Sequence, residues 1–113
     1  MKFGASLPRL YQSRRCEGRS WRNTFPKASK DEIRTFLLLF VSAFAFSDKN
    51  KLKFRPDDKI LDIYRALYPG HWMPDGLEVE TLARDLRARY KLELDLIWSD
   101  ELTLGEIFSN VNA

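Results

Sequence analysis

The residues of this chain best suited to chemistry are cations set among aromatic rings. Arg9, Arg14, Arg15, Arg19 and Arg22 interleave with Phe3, Tyr11, Trp21 and Phe25 within residues 1–28. Such a mixture suits nucleic acid, with guanidinium groups neutralising phosphates and rings stacking on bases. The favoured reading is instead a strap whose rings pack on the rest of the protein while its charges stay in water, because the rings are scattered and no named nucleic-acid motif occurs. An Arg-rich, acid-poor start also has the composition of a transit peptide or an upstream extension.

Reagents for covalent or acid–base chemistry are few. Cys16 and His71 each occur once, which excludes an intramolecular disulfide and a four-ligand zinc set, so no metal is expected. Cysteine usage of this kind fits a reducing, cytoplasmic compartment. His71 sits in PGHWMP, residues 69–74, where no serine, cysteine or second histidine stands beside it as a catalytic partner. Trp72 and Met73 then read as a plug against a core, with His71 at the surface. Carboxylates such as Asp75 remain, without a glycine-rich phosphate loop or metal spacing around them. The expectation is a protein that is not an enzyme and holds no cofactor.

At 113 residues, 44% of them hydrophobic, the chain fits one domain with a modest core. Its net charge of +3 divides unevenly, +7 over residues 1–30 and −4 over the remainder. Gly4, Pro8, Gly18 and Pro26 interrupt a first segment without helical or alternating periodicity. Residues 1–28 therefore read as an irregular basic N-terminal arm, and residues 29–113 as a helical domain.

The domain opens with Ser29-x-x-Glu32, a capping box, and Asp31 and Glu32 place negative charge in the first turn, where the helix dipole favours it. A helix beginning near Lys30 continues through Phe46, and its run 36–46 is apolar all round except for Ser42. That run is too short for a bilayer, which needs about 20 residues. Ala43-Phe44-Ala45 imitates a signal-peptide cleavage site, but Asp31 and Glu32 beside the apolar run argue against one. As a core helix it needs cover on both faces. The arm or a second copy of the chain, as a homodimer, must supply the second cover. SDKNK, 47–51, ends this helix, and Leu52 and Phe54 alternating with Lys53 and Arg55 predict a short extended segment. Asp57 and Asp58 then head a further helix with the stripe Ile60, Leu61, Tyr64, Leu67 and Tyr68, stopped by Pro69-Gly70.

The stretch that must organise the domain is 74–90. Asp75 is its candidate N-cap, with Glu78 three residues on as the reciprocal partner. Val79, Leu82, Ala83, Leu86 and Tyr90 fall on one narrow arc of a 3.6-residue period, which must face a core. Residues 92–98, LELDLIW, alternate apolar and acidic residues before turning fully apolar, which alone suggests a short strand. Thr103-x-x-Glu106 is another capping box, with Leu102 and Ile107 placed as a hydrophobic staple, and opens a last helix from Leu104 to about Val111.

Asp75-Gly76-Leu77 followed by Leu82, Leu86 and Tyr90, together with LTLGEIF at 102–108, resembles the Asp-Ser-Leu motif, second helix and final helix of acyl carrier proteins. The resemblance covers roughly residues 75–110 and implies an all-α fold, a small acyl-carrier-like four-helix bundle, in which residues 92–98 are the loop after the second helix, with Leu94 and Ile97 inward and Trp98 anchoring its end. In that family the motif serine carries phosphopantetheine as a phosphodiester. Here the aligned residue is Gly76, which has no side chain to esterify, and no serine occurs between Ser47 and Ser99. Gly76 is thus a vestigial attachment position, with Asp75 and Leu77 as motif neighbours. A Gly76→Ser change is expected to restore a substrate if the loop keeps the family's geometry. The family also docks its partners on the exposed face of the second helix. That implies a partner-binding face of Leu77, Glu80, Thr81, Arg84, Arg87 and Ala88, flanked by Asp85. Arg84 stands where the family usually places an apolar residue, so the partner implied differs from the usual one. The resulting expectation is a non-catalytic protein-interaction or regulatory module. The alternative is nucleic-acid or anionic-surface binding through the arm, which steep salt dependence would mark.

Overall fold

In the computed structural model, which describes residues 7–69 and 76–112, helices form where the local signals are strongest. In chain order the elements are α1 (Arg9–Gln12), α2 (Gly18–Thr24), α3 (Lys30–Ala43), a 3₁₀ helix (Asp48–Lys53), α4 (Ile60–Leu67), α5 (Leu77–Tyr90), α6 (Leu94–Ile97) and α7 (Leu104–Val111). The described chain is all-α. None of its helices is long and apolar enough to cross a membrane.

Two of the expected capping boxes are present in full. Ser29 Oγ accepts the Glu32 N–H at 3.0 Å while Glu32 Oε1 accepts the Ser29 N–H at 2.8 Å. The same pair of bonds joins Thr103 and Glu106, at 3.1 and 3.0 Å. Leu102 and Ile107 are both buried, as a staple requires. The third box differs. The N-cap of α5 is Gly76, which offers no side chain, and the expected cap Asp75 lies outside the described residues, as do Lys2, Phe3, Gly4, Gly70, His71, Trp72, Met73 and Pro74.

Helix α3 ends at Ala43, three residues short of the expected Phe46, because Ala45 turns left-handed with φ 62°. The Ala45 N–H then reaches Ser42 O at 3.1 Å and the Phe46 N–H reaches Val41 O at 2.8 Å, the two closing bonds of a Schellman motif. Phe36, Leu37, Phe40, Val41 and Phe44 are fully buried, and the cover for both faces comes from the chain itself. Of the run 36–46, Leu38 keeps 36% of its surface exposed.

Much of that cover is the N-terminal segment, and here the expectation of an irregular arm gives way. Residues 9–12 and 18–24 are helical, and Leu7, Tyr11 and Trp21 are core residues. The Trp21 indole N–H donates to Phe54 O at 2.8 Å, and its ring meets Phe36 at 6.1 Å and Phe108 edge-on at 5.7 Å. The Arg14 guanidinium forks onto Asp58, Nη1 to Oδ2 at 2.5 Å and Nη2 to Oδ1 at 2.9 Å. The Glu17 N–H donates to Leu52 O at 2.6 Å, and Lys53 Nζ to Arg14 O at 2.5 Å. These bonds also account for the segment that follows α3. Leu52 and Lys53 close a 3₁₀ helix rather than run extended, and Phe54, its C-cap, is extended and buried. Asp58 does not cap α4, whose N-cap is Lys59. Buried with 8% of its surface exposed, it faces Arg14 and accepts the Arg55 N–H at 2.7 Å.

Residues 56–60 are stitched to the start of α7. Lys59 and Thr103 form an isolated antiparallel bridge, and the Gly105 N–H donates to Pro56 O at 2.7 Å. A Cβ at Gly105 would stand 2.8 Å from that oxygen, so only glycine permits the approach.

Candidate functional site

Helix α5 is positioned by its inward stripe. Leu82 and Leu86 are fully buried, and Val79, Ala83 and Tyr90 pack half-buried on the same core. The helix therefore presents its opposite side to water. Leu77 is 67% exposed, and Glu80, Arg84, Arg87 and Ala88 are exposed with it, while Thr81 and Asp85 are half-buried. Arg87 is tied to Glu93, Nη2 to Oε1 at 2.8 Å and Nε to Oε1 at 3.1 Å. Among the described residues, Glu80 and Arg84 form no ion pair. Asp85 and Ala88, with Leu39, Ser42 and Arg89, line a shallow groove where α5 lies along α3.

The head of α5 is closed rather than open. Gly76 has an ordinary extended backbone, φ −82° and ψ 166°, so its identity is not a matter of dihedral strain. Its constraint is space. A Cβ built there would stand 2.8 Å from both Cε1 and Oη of Tyr64 and 3.0 Å from Oε1 of Glu78. Tyr64 comes from α4, is 2% exposed, and has its ring 5.1 Å from that of Tyr68. The Tyr68 hydroxyl donates to the Glu78 carboxylate. That hydrogen bond, with burial and the charge of Glu78 adding to it, holds the Tyr68 phenol up at about 12. Glu78 thus serves a tyrosine ten residues earlier in the chain. The roles of Tyr64 and Tyr68 had no local signal, since their partners Gly76 and Glu78 stand ten or more residues further along the chain.

The basic residues of the N-terminal segment divide in two. Arg9, Arg15, Arg19 and Arg22 are exposed. Arg14 is held by Asp58, a hydrogen bond that raises its pKa further above its ordinary value, and it also lies 4.7 Å above the Tyr11 ring centroid. Tyr11 and Trp21 are buried and Phe25 is half-buried, its ring 4.8 Å from Phe108. The rings expected either to stack on bases or to act as a strap are therefore, among the described residues, core rings. The exposed apolar residues that sequence reasoning did not single out are Leu10, at 66%, and Leu96 on α6, at 80%.

No protein-family model, curated protein or solved structure matches this chain.

Proposed function

We propose that this chain is a non-catalytic, acyl-carrier-like helical module, a four-helix bundle in its principal helices α3, α4, α5 and α7, that acts through protein contacts on the outer face of α5. On this reading it carries no phosphopantetheine and needs no other cofactor. The observation that supports the proposal is at position 76: the place where a carrier of this family would bear its arm has no hydroxyl, and a Cβ there would stand 2.8 Å from the ring tip of Tyr64. What the helix still offers is a surface, an exposed apolar residue at its first turn followed by exposed charges of both signs. Leu77 supplies desolvation at the centre of a contact, and Glu80 and Arg84 supply orientation and partner choice.

The test is affinity capture from native cell extract, comparing the full-length protein with a Leu77→Ala, Arg84→Glu variant. Both side chains are exposed, so the variant keeps its fold. A partner retained by the natural protein and lost from the variant is the expected result. Equal recovery of every bound protein would refute the assignment of this face.

The second reading, nucleic-acid or anionic-surface binding through residues 1–28, rests on the exposed Arg9, Arg15, Arg19 and Arg22. Burial of Tyr11 and Trp21 leaves it without those two rings for base stacking, so it reduces to neutralisation of phosphates without sequence preference. Binding whose affinity falls steeply with salt would support it, and binding indifferent to salt would remove it.

A further inference from the structure

Between α2 and the first turns of α3 lies a cleft of about 170 Å³ whose walls include Arg19, Arg22, Lys30 and Arg34, with Cys16 and Leu52. Among the described residues, no carboxylate lines it. Arg19 and Arg22 are three residues apart on one helix, and Lys30 and Arg34 are four apart on the other, so each helix turns a pair of cations to the same side. None of the four takes part in an ion pair among the described residues, whereas Arg14, Arg55, Lys59 and Arg87 all do. The nearby Glu32 is committed to the capping box of α3, and Asp31 lines a different depression, with Arg89 and Tyr90. Lys30 is moreover the first residue of α3, where the helix dipole disfavours positive charge. Four cations gathered without a counter-charge repel one another.

We propose that this cleft is a binding site for a compact phosphate-bearing group, a phosphoryl or pyrophosphoryl moiety on a small molecule. Guanidinium groups match phosphate oxygens in two-point geometry and lose less hydration than ammonium groups, which is why arginine predominates in such sites. The space equals about five or six water volumes, enough for one such moiety. The proposal is independent of the contact face on α5. Cys16 is exposed and belongs to the same wall, which makes its thiol a reporter of occupancy.

The experiment titrates pyrophosphate into the full-length protein, with ionic strength held constant by sodium chloride, and follows both iodoacetamide labelling of Cys16 and thermal unfolding. At ten times its dissociation constant, pyrophosphate should slow labelling about tenfold and raise Tm by about 5 °C. Both effects should vanish in an Arg22→Gln, Arg34→Gln variant and persist in an Arg9→Gln, Lys49→Gln variant, which removes the same charge elsewhere. Without ligand, the first variant should melt at or above the natural protein's Tm, since it relieves the repulsion. Protection reproduced by sodium chloride alone, or retained by the Arg22→Gln, Arg34→Gln variant, would overturn the proposal. So would a single-stranded oligonucleotide that protects Cys16 where pyrophosphate does not.

Discussion

Arg14 leaves the pool of free cations because Asp58 takes both of its terminal nitrogens, at 2.5 and 2.9 Å, with side-chain exposures of 12% and 9%. A buried, two-point pair of this kind is costly to break from one side, because the remaining charge stays desolvated. Asp58→Ala should therefore lower stability by about 3 kcal/mol in chemical denaturation. The same change should be visible at Tyr11. Burial first, and the charge of Asp58 second, push its phenol up to about 12, with Arg14 pulling the other way. The neutral phenol is thus favoured by the fold. Its contribution to stability is complete below the ordinary tyrosine value of about 10 and is lost as pH rises from there through about 12. Phenolate absorbance during alkaline titration should show Tyr11 ionising late, identified by its loss in Tyr11→Phe, and ionising at lower pH in Asp58→Ala.

At the scale of elements, two helix ends lean on left-handed residues that are not glycine, Ala45 with φ 62° and Lys91 with φ 61°. The Lys91 N–H closes α5 on Arg87 O at 3.0 Å, and its exposed side chain gives nothing back for the strained backbone. Lys91→Gly should raise stability by about 1 kcal/mol, read as a Tm gain of several degrees. Which elements were legible in the sequence follows from where their determinants lie. The boxes at Ser29–Glu32 and Thr103–Glu106 are complete within four residues, and both were readable. Asp75 and Glu78 show the same spacing, yet Glu78 is engaged by Tyr68 at the end of α4, which no local pattern reports. Helices α1 and α2, of 4 and 7 residues, are too short to show a period. What holds them is a Trp21 bond spanning 33 residues and an Arg14 pair spanning 44. The stripe of α5 was legible because fourteen residues repeat it. The ring of Tyr64 over Gly76 was not, because nothing in either residue's neighbourhood names the other.

For the whole molecule, the N-terminal segment belongs to the same packed body as the rest. The radius of gyration of 13.2 Å is what a single domain of this length should have, about 13 Å. Trp21 sits among Phe25, Phe36 and Phe108, with ring centroids between 5.7 and 6.1 Å away. Trp21→Ala should cost about 3–5 kcal/mol, and deletion of residues 1–28 should leave a chain without a cooperative thermal transition. The same packing decides the fate of position 76, on which the functional reading turns. In a Gly76→Ser protein the ring tip of Tyr64 must shift to admit even a Cβ, so serine alone is expected not to restore a carrier. The decisive measurement is intact mass and thermal stability of Gly76→Ser after incubation with a phosphopantetheinyl transferase and coenzyme A. The predicted outcome is no added pantetheine and a loss of about 1–3 kcal/mol from overpacking. A Gly76→Ser protein that takes up the arm with unchanged stability, or uptake by the natural chain itself, would contradict it.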